Sequence, residues 1–320
     1  MESESLQLIF LFEDLAALEV PLEKTIREYL NYIESARNLS ANTVLTYGKR
    51  LIDFTRFCQC HRIRRIEQVK TKNIFAYFVE LKRRGLSGRS IRLTLAAIKM
   101  LVKYAALEGI QSKNFAQIFC IQAPKVGSKL PKVLTIEQVK ELLAVVPKKC
   151  YFDLHCRNVA ILELLYGTGI RESELSELRY SDIDLAGGMI SVVGKGSKER
   201  LIPMNKPAIQ AIKKYVESTR RTQIRLGKDY GYLFLSRSGQ PLYRHEIWRI
   251  VSKYARLAGL ENVSPHTLRH CYATHLFMNG ADLRVIQIAL GHSRISTTQI
   301  YTHVNTKQLK TAIEKYHPRA

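Results

Sequence analysis

The chain has 320 residues, 50 Lys and Arg against 28 Asp and Glu, and a formal charge of +22, with 46% hydrophobic residues. That apolar share supports packed cores and excludes a disordered polycation, and the length suits two domains of roughly 100 to 200 residues each. A folded protein this basic meets a polyanion, and because its charge is spread over helical faces and not gathered in a tail or juxtamembrane cluster, nucleic acid is expected and a membrane is not.

Residues 1–20 carry Glu2, Glu4, Glu13, Asp14 and Glu19 and no base, which reads as an extension outside a DNA-facing body. The apolar run Leu6–Phe12 is too short to span a bilayer and lacks a preceding basic region, so no signal peptide is expected. The six cysteines, Cys58, Cys60, Cys120, Cys150, Cys156 and Cys271, have irregular spacings that point to reduced thiols in a cytoplasm. "CQCH", Cys58 to His61, is the one ligand-like cluster; without a second CxxC or HxxxH it predicts no zinc site.

From about Pro21 to Phe119 the pattern is helical, inside a first domain read as 21–121. Val44, Tyr47, Leu51, Phe54 and Cys58 share one stripe, Ser40 is the expected N-cap, and Lys49, Arg50 and Arg56 lie elsewhere on the helix. After "LSGRS", with Ser90 as expected cap, a second stripe runs through Ile91, Leu95, Ile98, Val102 and Ala105. Lys82, Arg83, Arg84, Arg89, Arg92, Lys99 and Lys103 crowd this helix and its entry with almost no acid between them. Phosphate contact is therefore expected at Lys49, Arg50, Arg89, Arg92 and Lys99.

Residues 122–134 combine Pro, Gly, Ser and lysines without a helical period and read as a linker. A new domain, 135–320, opens on the capping box "TIEQ", Thr135 to Gln138, ahead of Val139, Leu142, Leu143 and Val146, with Pro147 ending the helix. The next helix carries Val159, Leu162, Leu165 and Tyr166 before "GTGIRESEL", where Gly167 and Gly169 are read as a turn and Arg171 as a first-turn residue of the following helix. "DLAGGMISVVGKGSKERLIPM" alternates around a glycine-bearing turn and predicts a hairpin with Lys195 at its tip, and Lys198 and Arg200 as further DNA contacts. Later, Ser264 and Pro265 start a helix that sets His266 and Arg269 on one face of its N-terminal end, where unpaired N–H groups and the dipole suit an anion. The last stripe, Leu309, Ala312, Ile313 and Tyr316, either packs at home or docks onto a neighbouring subunit.

Arg171, Lys195, His266, Arg269, His292 and Tyr301 come from four separated segments, and together they can break a phosphodiester. Guanidinium forks at Arg171 and Arg269 match the charge that gathers on non-bridging oxygens. A phenol of ordinary pKa near ~10 needs a proton acceptor and a positive field to attack, which His266 and the arginines supply. Lys195 on its hairpin is placed to protonate the leaving 5′ oxygen, and His292 to hydrogen-bond the phosphate. Asp182 and Asp184 have no companion acid, so no metal site is predicted.

On "GTGIRESEL", "GKGSKER", "SPHTLRHCYATHL", "LGHSRISTTQIYTH" and the terminal "HPRA", the sequence resembles the tyrosine recombinase (phage integrase) family, within it the bacterial Xer recombinases, from about Pro21 to the end. The resemblance implies an all-α, SAM-like core-binding domain at 21–121 and a mainly α catalytic domain with a small antiparallel β-sheet at 135–320, its last helix used for subunit contact. It implies Tyr301 as nucleophile, Glu174 as the acid one turn beyond the first arginine, and no cofactor. It further implies strand exchange at a short double-stranded DNA site clamped between the domains, through 3′-phosphotyrosine links and a Holliday junction. The assembly would be a homotetramer or a heterotetramer with a paralogous recombinase, with an FtsK-type translocase as activator and chromosome-dimer resolution as the role; integration or inversion of a mobile element is the alternative. The extension 1–20, Cys271 and Tyr272 depart from the family pattern. A non-catalytic DNA-binding regulator of the same fold and a relaxing topoisomerase of type IB chemistry are the rival readings.

Overall fold

The structure, a computed structural model, describes residues 2–16, 18, 21–36, 39, 41–110, 112–123, 133–146, 154–193, 199–226, 229–291 and 306–319. They form two compact units, 1–129 and 130–320, divided inside the stretch read as a linker. The expected caps Ser40 and Pro147 lie outside the described residues.

The first unit is helical: α1 (Glu2–Ala16), α2 (Pro21–Ser35), α3 (Ala41–Cys60), α4 (Thr71–Arg83), α5 (Gly88–Leu107) and α6 (Asn114–Cys120). The stripes read from 44–58 and 91–105 meet in one core, where Phe54 and Tyr77 pack with ring centroids 5.3 Å apart. Two expectations are corrected. The acidic extension is built into this core through buried Leu11 and Leu15, and it approaches α3 at Gly48, where any Cβ would collide with Leu11. The cap of α5 is Ser87, whose hydroxyl accepts from the Ser90 N–H at 3.2 Å. Ser90 is thus the third helical residue, because the glycine between them opens the helix one turn earlier than its apolar stripe.

In the second unit α7 (Ile136–Ala144) starts at the expected capping box, Thr135 Oγ1 accepting from Gln138 N at 3.2 Å and Gln138 Oε1 from Thr135 N at 3.0 Å. α8 (His155–Thr168) is buried on all sides from Ala160 to Thr168, as expected of a central helix. α9 (Glu172–Glu177) leads to a three-stranded antiparallel sheet, β1 (Ile183–Asp184), β2 (Met189–Val193) and β3 (Glu199–Pro203), in the order β1-β2-β3. The register closes with Val193 opposite Glu199, and residues 194–198 lie outside the described residues.

α10 (Lys206–Tyr215), α11 (Arg221–Leu226), α12 (Arg244–Leu257), α13 (Pro265–Met278), α14 (Leu283–Leu290) and α15 (Thr306–Tyr316) complete the unit. In the last helix Leu309 and Ile313 are buried against Tyr272, Leu276, Ile286 and Leu290 of the same chain. That apolar surface finds partners at home. "HPRA" closes the packing. His317 is buried between Tyr166 and Tyr272, at centroid distances of 5.0 and 5.7 Å, and Arg319 pairs with buried Glu163 at 2.8 Å.

Candidate active site

The site begins where α8 stops. Thr168 Oγ1 donates to Leu164 O at 2.6 Å and accepts from Ile170 N at 3.2 Å, tying off the last turn. Gly169 then adopts φ 62, and a Cβ there would stand 2.5 Å from Tyr272 Cδ1, so both the left-handed backbone and the close approach require glycine. Gly167, read as part of the same turn, is instead helical; its missing side chain admits Asn205, whose Oδ1 would lie 2.5 Å from a Cβ.

Arg171 is the N-cap of α9 and not a first-turn residue. Its backbone N–H donates to Glu174 Oε2 at 2.9 Å, and its guanidinium donates from Nη1 to Glu174 Oε1 at 2.7 Å and from Nη2 to Gly291 O at 3.0 Å. Arg200 reaches the same carboxylate from β3, its two terminal nitrogens donating to Oε1 at 2.7 Å and Oε2 at 2.8 Å. Burial works to raise the Glu174 pKa, but the Arg200 hydrogen bonds, the Arg171 N–H and the charge of Arg200 prevail, and the carboxyl is held below its ordinary value.

α13 supplies the second arginine. Ser264 caps it, accepting from Thr267 N at 3.3 Å, Pro265 opens it, and His266 is exposed in the first turn. One turn on, Arg269 is only 8% exposed. Its Nη1 donates to Gly169 O and its Nη2 to Leu290 O, each at 2.5 Å. Burial first, and then the neighbouring charge of Arg171, lowers its pKa to about 10, which leaves it protonated at neutral pH. Two arginines distant in sequence therefore converge on the consecutive carbonyls of Leu290 and Gly291, the residues immediately before His292. Lys195, Lys198, His292 and Tyr301 lie outside the described residues.

The residues expected to touch phosphate divide. Lys49, Arg89 and Arg92 are exposed on α3 and α5, and Arg50 is half-buried. Lys99 is not available in the way expected, because its ammonium donates to Phe119 O at 2.8 Å and Ile121 O at 2.7 Å at the end of α6. Arg200 is likewise engaged by Glu174. Sequence position could not separate these two from their exposed neighbours, since each finds its partners 20 or more positions away.

Asp182, Asp184 and the Cys271 thiol have structural partners. Asp182 accepts from the Arg179 N–H at 2.8 Å and Asp184 from the N–H groups of Ala186 and Gly187. Cys271, a departure from the family pattern, accepts from Leu134 N at 3.2 Å. Among the described residues no group of three or more His, Cys, Asp or Glu could hold a metal ion, and no helix is long and apolar enough to cross a membrane.

The sequence pattern of the phage integrase family matches residues 132–308, and that of the phage integrase N-terminal SAM-like domain matches 26–109. The chain belongs to the phage integrase family. Tyrosine recombinase XerD of Oceanobacillus iheyensis is 37% identical over 301 residues, 93% of this chain and 100% of the relative. Tyrosine recombinase XerD of Chlorobaculum tepidum is 39% identical over 307 residues, 94% and 98% of the two chains. The Tn1549 transposon integrase, solved in complex with transposon right end DNA, shares the fold at a TM-score of 0.67 and 22% identity, over 91% of this chain and 98% of that one.

Proposed function

We propose that this chain, a site-specific tyrosine recombinase of the Xer type, cuts and rejoins double-stranded DNA with Tyr301 as nucleophile and Arg171 and Arg269 as the phosphate clamp. The observation that carries the reading is the delivery of these two guanidinium groups, one from the N-cap of α9 and one from α13, to the consecutive carbonyls of Leu290 and Gly291. Held there, they face a phosphate with fixed donors and need little reorganisation as charge builds on its oxygens.

The Tyr301 oxygen attacks the scissile phosphorus while His266 accepts its proton. A new phosphorus–oxygen bond to the phenol forms as the bond to the 5′ oxygen breaks, and Lys195 protonates that leaving oxygen. His292 donates to the phosphate. The product is a 3′-phosphotyrosine, which a 5′ hydroxyl from another strand attacks to restore the backbone. No net bond energy is lost, so no external energy source enters the step.

The unit of residues 1–129 is assigned DNA binding through Lys49, Arg50, Arg89 and Arg92, and the unit of 130–320 is assigned catalysis. The assembly on a short site is a tetramer of this chain or of this chain with a paralogous recombinase, acting in the cytoplasm on chromosome dimers and activated by an FtsK-type translocase. Purified protein is incubated with fragmented chromosomal DNA to map its covalent links, and then with a nicked suicide duplex carrying the mapped site. A denaturant-resistant adduct that Tyr301→Phe abolishes is expected. Sequence-specific binding without an adduct overturns the enzyme reading in favour of a regulator; adducts at unrelated sites favour a topoisomerase, and a site confined to the ends of a mobile element favours an integrase.

A further inference from the structure

We propose that Arg200 is a positioning residue for this chemistry: joined to Glu174, it fixes the Arg171 guanidinium and links the strand that follows the Lys195 connection to the residue that precedes His292. The inference rests on the reading of Arg171 given above.

The geometry is that of a clamp and not of a free DNA contact. Arg200 and Glu174 meet fork to fork at 2.7 and 2.8 Å, with side chains only 15% and 6% exposed. A bidentate pair of this kind restricts both planes, so Glu174 presents a fixed Oε1 to Arg171. Arg171 has few ways to turn once one nitrogen is on Glu174 and another on Gly291 O.

Gly291 closes the arrangement on the other side. A Cβ at this residue would stand 2.8 Å from Arg200 Nε and 3.0 Å from Cζ, so the backbone that leads into His292 lies directly against the Arg200 guanidinium. Gly291 also adopts φ 62 as the C-cap of α14. One side chain on β3 thus touches the partner of Arg171 and the residue before His292.

Charge gives a second reason for the arrangement. A carboxylate paired with Arg171 alone would cancel the positive charge that a phosphate requires. With Arg200 on the same carboxylate, the three groups keep a net charge of +1, and Arg269 adds another. The buffering guanidinium lets Glu174 orient Arg171 without neutralising the site.

The test uses the full-length chain and the nicked suicide duplex, comparing wild type, Arg200→Met, Arg200→Lys, Glu174→Gln and the double variant Arg200→Met/Glu174→Gln. Arg200→Met is expected to slow phosphotyrosine formation by about 100-fold, the scale of a misplacement near 1 Å, while affinity for the uncleaved site and its salt dependence stay unchanged. Arg200→Lys should recover about a tenth of the wild-type rate, because an ammonium keeps the charge without the fork. The double variant should be no slower than the slower single one, since both act through one contact. Wild-type cleavage rates in Arg200→Met, additive losses in the double variant, or weaker binding with a salt slope reduced by about one would each overturn the proposal, the last by making Arg200 a phosphate contact. Should Arg200→Met melt below the assay temperature, the double variant, which leaves no unpaired buried charge, is compared with Glu174→Gln alone. Failure of wild type to form any adduct would sink the recombinase reading itself, a result separate from normal cleavage by the Arg200 variants.

Discussion

Arg89 stands exposed at the start of α5, whereas Arg171, Arg200 and Arg269 gather where α8, β3, α13 and α14 meet, each bound to a carbonyl or a carboxylate. The residue type is one, and the physics differs. An exposed guanidinium interacts through water, is screened by salt, and contributes to affinity in proportion to the phosphates it neutralises. A guanidinium held by backbone oxygens gives up conformational freedom during folding, so it meets a developing charge already oriented. Counting arginines anticipates the first kind of work; only their partners disclose the second.

The largest effect that would sharpen this contrast is at Arg269. Arg269→Met is expected to slow adduct formation on the suicide duplex by roughly 1000-fold while leaving affinity for the uncleaved site within a few-fold of wild type. A large loss of affinity with little loss of cleavage rate would break the contrast, by making Arg269 a contact like those on α5. Next comes Gly169→Ala. A left-handed alanine costs roughly 1–2 kcal/mol and a methyl forced against Tyr272 roughly 1–3 more, so a urea titration should show about 4 kcal/mol lost from the second unit. An unchanged midpoint would mean that the α8 turn is not the rigid floor described.

Buried His317 offers a pH-dependent readout of the same floor. Burial first lowers its pKa to about 4, against about 6.5 for the unfolded imidazole. Between those values the unfolded chain binds more protons than the folded one, so stability falls as pH drops from 6.5 to 4, by up to about 3 kcal/mol in all. A His317→Gln chain should lack that slope, and thermal melts across the range would show it. The smallest expected effect is on the exposed side. Arg89→Ala/Arg92→Ala should leave the melting temperature within a degree or two, weaken binding to any duplex alike, and lower the salt slope by about two.

Several features were legible because short-range rules decide them. The capping box at Thr135 needs only residues three apart, the helix start at Ser264 and Pro265 only two neighbours, the β2–β3 hairpin alternation around glycines, and the stripes through Val44 and Ile91 a 3.6-residue period. Misreadings arose where a partner arrives from elsewhere in the chain. Lys99 belongs with the phosphate-facing cations until α6 brings its last carbonyls to the ammonium. Arg200 looks like a hairpin-edge contact until α9 presents Glu174. The acidic helix α1 looks detached until Leu11 seats over Gly48.

What the sequence settled by itself is local form and residue chemistry: which side chain types are on offer for a phosphodiester, which stretches are helical, and roughly where two compact units divide. Those properties depend on atoms close together along the chain. The tertiary structure decided which cations stay exposed and which are locked in place, because that depends on oxygens supplied by segments 20 to 120 residues away. Burial then turns such meetings into fixed geometry, since a charge removed from water must keep the partners the fold provides.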